Sequence, residues 1–187
     1  MRLLAVSGSL RRDSHNSRLL RAAAQQLPPG VELELYNGLK QIPPFDEDDE
    51  ASPAPEVLEW RNAIEAADAV LFATPEYNSS IPGQLKNAVD WASRPMAQAA
   101  LRNKPVAVIG ASISMFGALW SQAELRKVLA AAGARVVDSE LAVATAHEAF
   151  DDEDQLLEAE LGEALRGVVQ ELVDAAQRRA QTAPVGA

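Results

Sequence analysis

Residues 3–9 read Leu3-Leu4-Ala5-Val6-Ser7-Gly8-Ser9, a short apolar run stopped by two hydroxyl residues around a glycine. The pattern returns twice. Ala69-Val70-Leu71-Phe72-Ala73 stops at Thr74-Pro75, and Val106-Ala107-Val108-Ile109 stops at Gly110-Ala111-Ser112. Continuous apolar runs of this length, with helical stretches between them, suit parallel strands covered on both faces. Val31-Glu32-Leu33-Glu34-Leu35 alternates instead, so one of its faces is wet, as on an edge strand. A fifth strand falls at Val136-Val137 or at Leu141-Ala142-Val143, and the pattern does not choose between them.

Helical spacing fills the intervals. Residues 16–27 place Leu19, Leu20, Ala23, Ala24 and Leu27 on one face, and Leu85, Ala88, Val89 and Ala92 follow the i, i+3, i+4, i+7 rule. A third helix is expected from Met115 to Ala132, ended by Gly133. The last carries Leu157, Leu161, Leu165, Val168 and Leu172, with Asp152 and Gln155 placed like a capping box. The sum is an α/β fold: one doubly wound, five-stranded parallel sheet with helices on both faces. An alternating second strand fits the order 2-1-3-4-5, which leaves that strand at an edge. The length favours a single domain over residues 1–187, and no internal repeat is visible. Residues 37–55 are long for a connection and hold the acidic run Asp46-Glu47-Asp48-Asp49-Glu50, read as a solvated surface loop. Pro43-Pro44-Phe45 in the same segment is a candidate for a site wall or a subunit contact.

Composition narrows the chemistry. The chain has no cysteine, which removes disulfides, thiolate nucleophiles and zinc–cysteine sites, and only His15 and His147 offer imidazole for a metal. A net charge of −10 argues against nucleic acid and against an anionic membrane surface. No apolar run approaches the roughly 20 residues that span a bilayer. The first residues enter a strand pattern without a signal-peptide layout, so the expected compartment is the cytoplasm.

In an open α/β sheet, ligands lie beyond the carboxyl ends of the strands where the winding reverses, here between strands one and three. The loop after strand one reads Gly8-Ser9-Leu10-Arg11-Arg12-Asp13-Ser14-His15-Asn16-Ser17. Its hydroxyls, its amide and the free N–H groups of a helix start all suit an anion, and Arg11 or Arg12 adds charge-assisted bonds to phosphate oxygens. Neither GxxxxGK[ST] nor GxGxxG occurs, so a terminal phosphate monoester fits better than a nucleotide di- or triphosphate. Capping by Ser14 or Asn16 would alone account for either residue. The loop after strand three displays Pro75-Glu76-Tyr77-Asn78, equipped to hold the edge of a flat heterocycle, although a turn followed by a capped helix explains it equally on chemistry alone. Lys86 and Asp90 are four apart in the less favourable order for a helical ion pair.

Taken together, Gly8-Ser9-Leu10-Arg11 with Ser14 and Asn16, Pro75-Glu76-Tyr77-Asn78, and Pro82-Gly83-x-Leu85-Lys86-Asn87-Ala88-x-Asp90-Trp91 resemble the NADPH-dependent FMN reductase family. The resemblance spans Arg2 to about Val143 and implies a flavodoxin-like fold. It further implies FMN as cofactor, NADPH or NADH as reductant, and a small acceptor such as a quinone, azo or nitro compound, chromate or free flavin. By the same resemblance Ser9, Arg11, Ser14, Asn16 and Ser17 surround the FMN phosphate. Pro75, Glu76, Tyr77 and Asn78 meet the ring, and Ser112 closes its other side. A homodimer or homotetramer with the site near a subunit interface is also implied. The chain departs from the family at Ser114, where glycine is usual. Serine there is expected to narrow the site, alter flavin affinity or shift acceptor preference. No side chain is assigned as a catalytic acid or base, and ping-pong kinetics are expected. A flavodoxin-type electron carrier and a non-enzymatic flavin-binding module are the competing readings. A receiver domain fits poorly, since Ser7-Gly8-Ser9 and Thr74-Pro75 stand where it needs carboxylates.

Overall fold

The computed structural model describes residues 1–182. Five parallel strands, β1 (Arg2–Ser7), β2 (Glu32–Leu35), β3 (Ala69–Thr74), β4 (Pro105–Ala111) and β5 (Arg135–Val143), form one sheet in the order β2-β1-β3-β4-β5. This is the flavodoxin-like winding. Five helices, α1 (His15–Ala24), α2 (Pro55–Ala66), α3 (Gly83–Ala92), α4 (Leu119–Ala131) and α5 (Ala159–Thr182), cover the two faces.

Alternation along the central strands divides the core in two. Leu3, Ala5, Leu71, Ala73 and Ile109 pack with α1 and α5, whereas Leu4, Val6, Val70, Phe72 and Val108 pack with α2, α3 and α4. β3 and β4 are buried at every residue, as their unbroken apolar runs require. In β2 the glutamates are exposed and the leucines half-buried, the pattern of an edge.

Both fifth-strand candidates belong to β5. The register against β4 shifts between Val106 and Val108, which face Val136 and Glu140. The irregularity turns the N–H groups of Asp138 and Ser139 out of the ladder, and the Glu171 carboxylate of α5 accepts both, at 3.0 and 2.8 Å. Hydrogen bonds from Ser139 hold that carboxyl below its ordinary pKa, against the opposing effect of its burial.

Two helix starts differ from the sequence expectation. The last helix begins at Ala159, not beside Asp152 and Gln155. Asp151 uses its carboxylate on the N–H groups of Glu153 and Gln155, and Asp154 binds Arg18 and Arg21 of α1, so residues 151–155 form a clasp in place of a capping box. α4 begins at Leu119 and not at Met115, because Gly117 (φ 56°) and Ala118 (φ 64°) are left-handed and interrupt a continuous helix.

The long segment 37–55 is folded down onto α3. Gln84, Asn87 and Trp91 share one face of that helix. Gln84 Nε2 donates to the carbonyls of Leu39 and Ile42 at 2.7 and 2.8 Å. Asn87 donates to Pro43 O and accepts from Phe45 N–H, while the Trp91 indole N–H also reaches Pro43 O at 2.9 Å. The Phe45 ring then meets Trp91 edge-on at 4.9 Å. The acidic run of this segment lies on the surface, as expected.

Candidate functional site

Three loops leave the carboxyl ends of β1, β3 and β4 side by side. Gly8 brings the first two together: its N–H donates to Ala73 O at 2.8 Å, and a Cβ there would stand 2.8 Å from Leu85 Cδ2 and 3.3 Å from Pro75 Cδ. A side chain there would press on Leu85 of α3 and on Pro75 of loop 2, so glycine suits the close approach.

In loop 1, Ser14 is buried and caps α1, its hydroxyl accepting the Ser17 N–H at 3.3 Å. The N–H groups of His15 and Asn16 have no intrahelical acceptor, as helix geometry dictates. Ser17 donates its hydroxyl proton to Ser7 Oγ at 3.1 Å, and Ser9 Oγ accepts the Arg11 N–H at 3.4 Å. The Arg11 and Arg12 side chains are exposed. Burial, reinforced by Arg11 and Arg18, holds His15 below the ordinary imidazole pKa, so the helix start carries a neutral ring. Outside this loop, facing the end of β2, lies a cleft of about 370 Å³ lined by Ser9, Arg11, Arg12, Ser17, Tyr36 and Lys40 among others.

Asn16 does not turn its amide toward that cleft. It is buried, and it pairs with the backbone of Ala111 in both directions: Nδ2 donates to Ala111 O at 2.9 Å and Oδ1 accepts Ala111 N–H at 3.0 Å. The residue is a strut between loop 1 and the end of β4.

Loop 2 is a tight hairpin. Tyr77 and Ser80 exchange backbone hydrogen bonds at 3.0 and 3.1 Å, with Asn78 (φ 53°) and Ser79 (φ 59°) both left-handed at the tip. That geometry is a type I′ turn, in which asparagine is favoured. Tyr77, Asn78 and Ser79 are exposed, and Pro75 is buried behind them. Glu76 turns away from the tip. Its Oε2 accepts the N–H groups of Trp120 and Ser121 at 3.0 and 3.2 Å, supplying the start of α4 with the cap that Ala118 lacks. Lys86 and Asp90 do pair, with Nζ 2.7 Å from both carboxylate oxygens, despite their unfavourable order.

Loop 3 folds back on the residues after β5. Ser112 N–H donates to Val143 O, Thr145 N–H to Ser114 O, and Ala146 N–H to Ser112 O. Ser114 donates its N–H to Ser112 Oγ at 3.1 Å, and the two hydroxyls are 3.1 Å apart. Ser114 has no left-handed backbone; that demand falls on Gly117, where a Cβ would stand 2.7 Å from Ala142 C. The serine is therefore accommodated without strain and locks Ser112 in place.

Ser9, Arg11, Ser14 and Ser17 thus lie along the loop after β1 and the start of α1, Pro75, Tyr77 and Asn78 on the loop after β3, and Ser112 on the loop after β4, three loops that leave neighbouring strands. The Asn16 side chain is spent on the Ala111 backbone and the Glu76 carboxylate on the start of α4. Sequence reasoning did not find Tyr36 and Lys40 beside loop 1, because nothing in the local pattern shows which way the chain runs after β2. The roles of Glu76, Gln84 and Asn87 as ties were equally out of reach, since each depends on a partner distant in sequence.

Residues 1–148 match the model of the NADPH-dependent FMN reductase family. Over 174 residues the chain is 41% identical to an NAD(P)H-dependent FMN reductase of Pseudomonas aeruginosa, covering 92% of this chain and 93% of the relative. A quinone reductase of Pseudomonas putida is 41% identical over 125 residues, 66% of this chain and 67% of the relative. Among solved structures, the flavoenzyme NAD(P)H:(acceptor) oxidoreductase FerB from Paracoccus denitrificans superposes with a TM-score of 0.84 at 33% identity, covering 95% of this chain and 97% of that one. The chain belongs to the NADPH-dependent FMN reductase family, and with it to the oxidoreductases that work through FMN and NAD(P)H.

Proposed function

We propose that this chain carries electrons from NAD(P)H through one FMN to a small acceptor of the quinone, azo, nitro, chromate or free-flavin type, in a ping-pong cycle. One observation carries the reading: the loops after β1, β3 and β4 are held by ties from Gly8 to Ala73, Asn16 to Ala111 and Glu76 to the start of α4. Loops preorganised in this way hold an anion and a ring edge without reorganising when the ligand arrives.

The residues suit the group. The hydroxyls of Ser9 and Ser17, the Arg11 guanidinium and the open N–H groups of His15 and Asn16 would hold the phosphate, with Ser14 fixing the helix start behind them. Pro75 and the backbone at Glu76, with the side chains of Tyr77 and Asn78, would border the ring, and Ser112 would close the far side. Bound FMN supplies the hydride and electron chemistry. The protein's part is to bind, to orient and to exclude water; backbone N–H groups of loops 2 and 3 favour negative charge placed against them. No side chain is required as nucleophile, acid or base.

Among the described residues no helix is long and apolar enough to cross a membrane, and we place the activity in the cytoplasm, where NAD(P)H is at hand. Ile113, Met115, Phe116 and Trp120, on the loop after β4 and the start of α4, are exposed, and we assign them to contact with a second copy in a homodimer or homotetramer.

The test is a visible spectrum of protein purified with added FMN, before and after anaerobic NADPH. A flavin spectrum that bleaches, with parallel double-reciprocal plots at several acceptor concentrations, is the expected result. A flavin that stays bound yet is not reduced by NADPH would point instead to an electron carrier.

A further inference from the structure

The cleft outside loop 1 carries more positive charge than one phosphate monoester uses. Its walls come from the loops after β1 and β2 and enclose about 370 Å³, inside the roughly 300–1,000 Å³ range of sites that take whole small molecules. Arg11, Arg12, Arg21 and Lys40 line it, and among the described residues no carboxylate does. Arg21 is already engaged with Asp154 at 2.6 Å. A phosphate monoester brings at most about two negative charges, which Arg11, the serine hydroxyls and the helix N–H groups answer. Arg12 and Lys40 are left over, one from each loop. Both are exposed, and neither has an ion-pair partner among the described residues. In a chain of net charge −10, two unpaired cations facing the same cleft mark a local preference for an anion that runs against the global field.

The rest of the lining is not that of a hole for a simple ion. Leu10, Leu39 and Tyr36 contribute apolar surface, and Asn37 and Gln41 contribute amides. The Tyr36 ring is held against Trp60 at 4.8 Å. Charge beside apolar and amide groups suits a phosphorylated nucleoside. In Rossmann dinucleotide sites, whose glycine-rich pyrophosphate loop this chain lacks, an acidic residue reads a ribose 2′-hydroxyl and a basic one accommodates a 2′-phosphate, and only that charge preference is carried over. The wall after β2 here offers the basic solution.

We propose that Arg12 and Lys40 bind the adenosine 2′-phosphate of NADPH and so set a preference for NADPH over NADH. The inference rests on the flavin-reductase reading above, which makes a nicotinamide nucleotide the reductant. Arg12 and Lys40 are specificity residues in it, remote from the hydride.

The test is calorimetric titration of the FMN-loaded protein with 2′,5′-ADP and with 5′-AMP, neither of which can reduce flavin. A lost charge-assisted contact costs about tenfold or more in affinity. Wild-type protein is expected to bind 2′,5′-ADP at least tenfold tighter than 5′-AMP, and Arg12→Gln with Lys40→Gln to abolish the difference. Arg12→Lys with Lys40→Arg restores it. The NADPH-to-NADH ratio of kcat/KM falls at least tenfold in the glutamine variant, with the change in KM and not in kcat. Equal affinity for the two nucleotides in a yellow wild-type protein would overturn the proposal, as would a glutamine variant that keeps its preference. A colourless wild-type protein that still prefers 2′,5′-ADP would support the cleft and remove the flavin reading beneath it.

Discussion

Asn16 concentrates the cost of building the site into one side chain. Its amide satisfies both backbone groups of Ala111, buried at the end of β4. Asn16→Ala would leave a buried N–H and C=O without partners, and each costs about 1–3 kcal/mol. The expected result is a loss of about 2–3 kcal/mol in urea unfolding and, with loops 1 and 3 uncoupled, FMN affinity weaker by about tenfold. Unchanged flavin affinity in a destabilised variant would show that the strut serves the fold alone. Lys104 makes a second prediction at this scale. It is buried at the foot of β4, donates to the carbonyls of Glu65 and Ala67 at the end of α2, and burial pushes its pKa down to about 8. The unfolded chain keeps that proton to about pH 10.4. Between those values the unfolded state binds more protons, so raising the pH favours the fold. Tyr36 acts in the opposite sense only above pH 10, because burial raises it to about 12. Urea midpoints are therefore expected to climb from pH 8 to pH 10, and Lys104→Met to remove the climb.

At the scale of elements, the helix α3 explains why a long irregular segment stays ordered. Asn87 makes two of its ties, to Pro43 O at 2.8 Å and from Phe45 N–H at 2.6 Å. Asn87→Ala should free residues 37–55 while leaving the sheet intact, raising amide exchange at Phe45 by about tenfold or more with a global loss of only about 1–2 kcal/mol. A uniform rise across β1, β3 and β4 would contradict that local account. The strands were legible because a buried parallel strand needs an unbroken apolar run, and Ala69–Thr74 and Pro105–Ala111 have one. The edge position of β2, which fits the order 2-1-3-4-5, was legible from its glutamates. Helix starts were less so. Asp152 and Gln155 have the spacing of a capping box, but Arg18 and Arg21, more than a hundred residues earlier, draw Asp154 into a clasp instead. The motif from Pro82 to Trp91 was visible as a string, whereas its use as a buttress depends on which face meets Pro43 and Phe45.

For the whole molecule, the unresolved demand is an apolar surface. Ile113 and Met115 are 66% and 75% exposed, and Phe116 and Trp120, at 48% and 47%, stack edge-on at 4.9 Å without going under cover. Adjacent loop 2 adds Tyr77 at 51%. Clustered exposure on this scale marks an interaction surface, and a patch beside a crevice that two loops have already shaped suits a self-complementary contact about a two-fold axis. Such a contact would bring a second copy's aromatics beside the crevice and exclude water from it. Trp120 is the residue to change, because α4 is capped through its backbone N–H and not its ring. Light scattering of the wild-type protein is expected to give a multiple of the 20.0 kDa chain mass, with a midpoint of thermal unfolding that rises with concentration. Trp120→Glu buries a charge in the proposed contact, so its mass should fall to that of one chain while the unfolding midpoint loses its concentration dependence. A wild-type protein that stays at one chain mass at high concentration would leave the patch to the electron acceptor or to a protein partner.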